Sequence, residues 1–442
     1  MPFLRSVQNR VERTVYVIAG LPIAFRGGNF GSSGDSREIR RVFARHYWRP
    51  RSTAESLELA AGLLLAPIAV PLAALWFTAR NGRITRAREG RSIAGQFIEQ
   101  LRLYASAGVF GPWYYIFSLH RDGARRAPTF LQRCETKRGL YALLKGPGAS
   151  PLGHKQKFAE RCATAGARCV CCELVIGQGA VDAASLPDVD LFVKPLIGCG
   201  GKGAERWDRV GHRRWSDGSR ELEGQQLIDR LRTRGRPLVV QKRVLAHPAL
   251  LPLTSGALPT VRLLTCLDEQ NRPEAVAAVF RMSVGANRTV DNFHAGGVAC
   301  AVSLGQGELG MASDLGADAR LGWCFDHPTT GARISGTLLP YWDQVKALGL
   351  RAHDAFTDRV LIGWDIAISD DGPIIIEGNR GPDLDIMQRF MDVGFYHEHR
   401  LSQLIAHHLR ARGELGIPAG RHQAAQWSEW IPSERRARRA RQ

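Results

Sequence analysis

The chain has 442 residues, 44% of them hydrophobic and 23% charged, which confines disorder to the ends and leaves room for two or three domains around a large core. A formal net charge of +18 points to an anionic partner: nucleic acid, an anionic membrane face, or an acidic or phosphorylated substrate. No basic run is interleaved with aromatic residues, and no zinc-finger, RNA-recognition or zipper pattern is present, so an anionic membrane surface is favoured over nucleic acid.

Residues 1–92 read as a basic N-terminal region. Within it, 60–79 (AAGLLLAPIAVPLAALWFTA) carry no charge and are about long enough to cross a bilayer, with Arg49 and Arg51 before them and Arg80, Arg83, Arg86 and Arg88 after. The block starts too far in, and is too long, for a cleaved signal peptide. Three readings stay open for it: a spanning helix, a re-entrant wedge, or a buried soluble helix that Pro67 and Pro71 would kink. Residues 93–150 repeat apolar side chains at helical spacing and end in a Gly- and Pro-rich linker, KGPGASPLG. Strand-like and helix-like segments then alternate over 151–412, and 413–442 form a basic tail.

The cluster Cys169, Cys171 and Cys172 lacks the C-x₂₋₄-C spacing or the nearby histidines of a zinc site. It reads as a strand of reduced thiols packed as small hydrophobes.

The segment IGCGGKG at 197–203 places Gly198, Gly200, Gly201 and Gly203 around Lys202, directly after the strand VDLFVKP. A dinucleotide site needs a helix to open at the last glycine, whereas AERWDRVGHRRW continues as an alternating strand. The HRD at 120–122 precedes the glycines rather than following them, which excludes a protein kinase. A flexible loop remains whose amides can close over phosphates. Lys194, at the end of an apolar strand beside that loop, needs an anion to offset its burial.

GWDIAISDDGPIIIEGN at 363–379 reads as a buried hairpin. With Asp370-Asp371-Gly372 as a three-residue loop, Ser369 pairs with Pro373 and Asp365 falls opposite Glu377, their Cβ atoms roughly 5 Å apart on one face. Asn379, two residues on, projects from the same face. Two close carboxylates repel unless a cation intervenes, and an all-oxygen donor set points to Mg²⁺ or Mn²⁺ gripping nucleotide phosphates. The competing reading is a salt-bridged surface hairpin in which Arg380 or another arginine satisfies the acids.

A metal-binding Asp…Glu-x-Asn on adjacent strands, after a strand-borne lysine and a Gly-rich loop, resembles the ATP-grasp superfamily. PTVRLLTCLD, FRMSVGANRTVDNFHAGG and GWDIAISDDGPIIIEGN together are similar to its sugar-transfer-associated members, found near genes for bacterial surface polysaccharides; the resemblance covers about 93–410. It implies an α+β fold in which two subdomains grip ATP, preceded here by a helical N-terminal region. It also implies an ADP-forming ligase that activates a carboxylate as an acyl-phosphate for an amine or sugar acceptor. Lys155 and Lys194 are then the phosphate lysines, although His154 stands where the family commonly has Asp. Gln241, Lys242 and Val244 line the adenine, and His247 approaches the ribose. Arg281 and Asn292 orient the transferred groups, Arg262 is a second candidate for that role, and His294 is a candidate base. The alternatives are a phosphotransferase acting on a sugar or lipid hydroxyl, and a non-catalytic nucleotide-binding membrane protein. The expected location is the cytoplasmic side of the bacterial inner membrane, otherwise the cytoplasm.

Overall fold

The computed structural model describes residues 2–27, 34–146, 150–177, 183–198, 201–285, 296–316, 322–397 and 399–415. The chain begins with four helices: α1 (Pro2–Arg26), α2 (Gly34–Tyr47), α3 (Thr53–Glu89) and α4 (Ile93–Ala107). Ser52 caps α3 by accepting from the Glu55 amide at 3.2 Å, and Gly90 ends it in the left-handed conformation. Pro67 and Pro71 both lie inside α3, which continues through them. Short helical turns follow to Leu143. Val17, Ile23, Phe43, Leu103 and Tyr114 form the core of this region.

Two antiparallel sheets follow. The smaller contains β1 (Leu174–Ile176), β2 (Leu191–Pro195), β3 (Glu205–Gly211), β4 (Arg214–Ser216), β5 (Glu221–Glu223) and β6 (Leu238–Lys242), in the order β1-β6-β2-β3-β4-β5. Helix α5 (Lys155–Thr164) precedes it, and α6 (Gly224–Arg232) covers one face, where Leu191, Val193 and Val240 meet Leu227 and Leu231. Because strand side chains alternate, Phe192, Lys194, Val239 and Gln241 occupy the opposite face.

The larger sheet contains β7 (Thr260–Leu267), β8 (Pro273–Met282), β9 (Val298–Val302), β10 (Leu309–Ser313), β11 (Trp323–Cys324), β12 (Leu361–Ser369) and β13 (Gly372–Asn379). Its order is β11-β10-β9-β8-β7-β12-β13. Helix α7 (Trp342–Asp354) packs over Val261, Leu263 and Ile366 on one face. On the other, Leu264, Cys266 and Leu361 meet α2, α8 (Leu384–Met391) and α9 (Arg400–Ala411). The expected α+β architecture, a helical region before two antiparallel sheets, is what forms.

The cysteine segment differs from its expected role as a regular strand. Cys169 bridges Ile375, the Val170 amide donates to the Ile375 carbonyl at 3.0 Å, and the Glu173 amide donates to the Val240 carbonyl at 3.0 Å. These few residues join the two sheets, and β1 starts only at Leu174.

Candidate functional site

The hairpin β12–β13 places Asp365 opposite Glu377, but by a different route from the one the turn residues predict. Ser369 pairs with Gly372 across a two-residue turn, Asp370-Asp371, and Ile368 pairs with Pro373. That register alone would set Asp365 against Ile376. A bulge between the Ile366–Ile375 and Asp365–Glu377 pairs absorbs the extra residue. Ile375 and Glu377, two apart, would share a face in a regular strand. The bulge instead lets Ile375 enter the core under α7 while Glu377 joins Asp365.

Strand order supplies the partners. Arg262 on β7 lies opposite Asp365, and Arg281 on β8 lies opposite Thr260, one pleat along the same face. Arg262 grips Asp365 with both Nε and Nη2, the second at 3.0 Å, and Arg281 Nη2 stands 3.1 Å from Asp365 Oδ2. Asn379 Nδ2 donates to the same oxygen at 3.4 Å. The arginine contact anticipated for the hairpin therefore exists, through Arg262 and Arg281 on neighbouring strands.

Lys194 arrives from the smaller sheet. Burial holds its ammonium below the ordinary lysine value, and Glu377 pulls the other way. For Glu377, burial and then the Asp365 carboxylate raise the pKa above the usual range, opposed by Lys194 and Lys155. Burial also raises Asp365, but Arg262 and Arg281 outweigh it and bring the group down to about 2. Lys155 opens α5, whose first turn is tied to the end of β2: the Lys155 amide donates to the Leu196 carbonyl at 3.3 Å and Nζ donates to the Gly198 carbonyl at 3.0 Å. His154 serves as the helix cap that an aspartate would otherwise provide, its Nδ1 accepting from the Lys157 amide at 3.4 Å.

The remaining candidates divide. Gly198, Gly201 and Gly203 have φ of 144°, 67° and 76°, conformations that favour glycine, and Lys202 between them is exposed. Gln241 is buried and donates to the Val170 carbonyl at 3.3 Å. Lys242 is exposed, 3.8 Å from Glu173, and Val244 is half-buried in the following loop. His247 caps a short turn, stands 4.0 Å from Asp370 and packs edge-on against Tyr341, beside the tip of the hairpin rather than beside Asp365. Gly200, Asn292 and His294 lie outside the described residues.

Asp383 was not singled out by sequence reasoning. It borders the cluster, paired with Arg133 at 3.1 Å and Lys137 at 3.0 Å. Burial raises its pKa, but these cations hold it below the ordinary carboxylate value. The Gly-Pro-Asp at 381–383, just after Asn379 and Arg380, was its only signal.

The donor set suits a hard cation. Asp365, Glu377 and Asn379 can offer oxygens, and two carboxylates on one face, Asp365 buried and Glu377 half-buried, repel unless a proton or a cation offsets them. Among the described residues no group of three His, Cys, Asp or Glu side chains gathers around a point. An ion here would thus depend on two carboxylates, one amide and oxygens from a ligand or water. Lys155, Lys194, Arg262 and Arg281 exceed the two carboxylates in charge, which suits a polyanion carrying such an ion.

Among solved structures, the chain is similar to D-alanine–D-alanine ligase from Bacillus anthracis complexed with ATP, at 13% identity and a TM-score of 0.34, over 60% of this chain and 68% of that one. It is similar to L-amino acid ligase from Bacillus licheniformis at 11% identity and a TM-score of 0.33, over 59% of this chain and 50% of that one. It is similar to N5-carboxyaminoimidazole synthase from Aspergillus clavatus at 12% identity and a TM-score of 0.31, over 60% of this chain and 52% of that one. The chain thus spans about half the length of the last two. No curated protein matches it. The model of the sugar-transfer-associated ATP-grasp family matches residues 180–403, half of the sequence, and the chain belongs to that family.

Proposed function

We propose that this protein is an ATP-dependent, ADP-forming ligase that activates a carboxylate as an acyl-phosphate and passes it to an amine or similar nucleophile, in the making or modification of bacterial surface polysaccharide. The observation that carries the reading is the position of Glu377, on the same face as Asp365 of the larger sheet and within the field of Lys194 from the smaller one. Family membership supplies the nucleotide and the sugar context.

In this reading Asp365, Glu377 and Asn379 would hold Mg²⁺ or Mn²⁺, which would supply charge neutralisation to the phosphates. Lys194 and Lys155 take phosphate oxygens, and the backbone of the Gly198–Gly203 loop closes over them. Gln241, Lys242 and Val244 border the adenine. Arg262 and Arg281 fix the Asp365 carboxylate and present N–H groups to the transferred phosphoryl and acyl oxygens, a task suited to planar guanidinium. Asn292 is assigned to orienting the acyl group, and His294 to taking the proton of the attacking amine. A reaction that uses ATP fits the cytoplasmic side of the membrane, where ATP is available.

Hydroxylamine trapping tests the reading. Wild-type protein, ATP and Mg²⁺ are offered a panel of amino acids and uronic acids, and one acid is expected to give hydroxamate together with ADP. ADP release onto a sugar or lipid hydroxyl without hydroxamate would establish a phosphotransferase instead.

A further inference from the structure

Helix α3 is built inside out for water. The side chains it buries are mostly small, Gly62, Ala66, Ala74, Thr78 and Gly82 among them, in a stripe that recurs every fourth residue. Its large apolar side chains point outward, with Leu64 78% exposed, Ile68 62% and Trp76 64%; Leu57, Leu72 and Leu75 are also exposed. In the most apolar 18-residue window of this helix only 17% of residues are buried. From Leu57 to Ala79 the outer face carries no charge, a length of about 33 Å at 1.5 Å per residue. A soluble helix leaves its small or polar residues outside, and a contiguous apolar face this long marks a contact surface.

What covers that face follows from its two ends and its back. Exposed Arg49 and Arg51 precede it, and exposed Arg80, Arg83, Arg86 and Arg88 follow it. Two copies stacked face to face would bring arginines together in either orientation, whereas anionic headgroups neutralise both ends. The back of the helix packs on an apolar core shared with α1 and α4, and polar contacts fasten it towards both ends. Glu58 pairs with Arg13 at 3.5 Å and lies 3.9 Å from Arg138. Gln100 Nε2 donates to Thr78 Oγ1 at 2.6 Å, and Gln96 Nε2 donates to the Gly82 carbonyl at 3.1 Å. Gly62 lies so close to α1 that an added Cβ would sit 2.3 Å from Val17 Cγ1. A spanning orientation would draw the polar contacts on the back of the helix, Glu58 with Arg13 and Gln100 with Thr78, towards hydrocarbon, which is costly. An orientation parallel to the surface keeps them in water.

We infer that α3 docks this protein in the plane of an anionic bilayer, its Leu64–Trp76 face among the acyl chains and the arginines at its two ends among the headgroup phosphates. The inference is independent of the ligase chemistry.

Flotation of the full chain with vesicles tests it. Binding is expected to phosphatidylcholine vesicles containing phosphatidylglycerol, and at least about tenfold less to phosphatidylcholine alone. The triple variant L64S/I68S/L72S should lose vesicle binding about tenfold or more with an unchanged thermal midpoint, since those side chains touch solvent. Arg80→Gln with Arg83→Gln should remove the preference for the anionic lipid. Depth is read with lipids brominated at different acyl positions: Trp76, identified by difference from W76F, and a tryptophan at Leu64 (L64W) should be quenched at the same shallow depth. A depth difference of about 18 Å between them would mean that the helix spans, and would overturn the in-plane arrangement. Failure to float, or a dimer in solution that L64S/I68S/L72S dissociates, would overturn membrane docking altogether.

Discussion

Arg262 and Asp365 face each other across paired strands, with Arg262 Nη2 donating to Asp365 Oδ2 at 3.0 Å inside a buried cluster. Removing one member of such a pair leaves a buried charge short of a partner, at about 3–5 kcal/mol, less whatever Arg281 still supplies. Arg262→Met and Asp365→Asn should therefore each destabilise the protein, and the double variant should lose less than their sum by about 0.5–3 kcal/mol. Urea unfolding of the four proteins measures the coupling. Strict additivity would mean that the pair does not exist in solution.

Lys194 and Lys202 separate buried from solvated cations near the glycine loop. Lys194 is buried beside Glu377, whereas Lys202 is exposed. Each charge-assisted hydrogen bond to phosphate is worth about 1.5–3 kcal/mol, so Lys194→Met should weaken ATP binding roughly 10- to 100-fold by calorimetry. Its thermal midpoint should fall less than that of Arg262→Met, because a desolvated charge is removed along with the counter-charge of Glu377. Lys202→Met should change ATP affinity less than about threefold. A reversed ranking would contradict the assignment of Lys194 to the phosphates.

Gly378 sits between Glu377 and Asn379 with no room for a methyl group. An added Cβ would stand 2.6 Å from Leu152 Cδ2 and 3.0 Å from Trp364 Cζ3. Gly378→Ala should cost about 1–3 kcal/mol by overpacking and displace both flanking donors, with thermal unfolding and ADP release falling together. Retention of full activity would show that the two donors tolerate movement of this strand.

The acid limb of the stability curve should carry a signature of His353. Its Nε2 donates to the Arg359 carbonyl at 2.9 Å, and Nδ1 accepts from Thr265 Oγ1 at 2.7 Å, a hydroxyl that itself accepts from Trp364 Nε1 at 2.8 Å. Burial lowers this histidine from its ordinary 6.5 to about 4. Between those values the unfolded chain binds the extra proton and the folded one does not, so stability falls as pH drops from 6.5 towards 4. His353→Gln should be less stable at pH 7 and show a flatter decline over that window in thermal melts. An unchanged slope would assign the acid sensitivity to other groups.

Much of the site was legible because strand alternation is a local rule. Asp365, Glu377 and Asn379 were placed on one face by period two and a turn signal. The bulge was hidden: Ile374, Ile375 and Ile376 are chemically alike, so nothing in that run marks the extra residue. The assumed three-residue loop and the real two-residue turn with a bulge differ by one position each, and the offsets cancel. The arginine grip on Asp365 required the order β8-β7-β12, in which the strand preceding β12 in the chain is not its neighbour, and no local pattern encodes that. In α3 the apolar composition was plain, but which face is covered depends on where α1 and α4 pack.

Whether Asp365, Glu377 and Asn379 hold a divalent ion together with a nucleotide decides the ligase chemistry. Mn²⁺ titration followed by electron paramagnetic resonance, with and without ATP, reads this directly. Wild-type protein should bind Mn²⁺ tightly only with ATP present, and Glu377→Ala should lose that binding at least about tenfold while keeping its thermal midpoint within a few degrees. Equal ATP-dependent Mn²⁺ binding by wild type and Glu377→Ala would contradict the assignment.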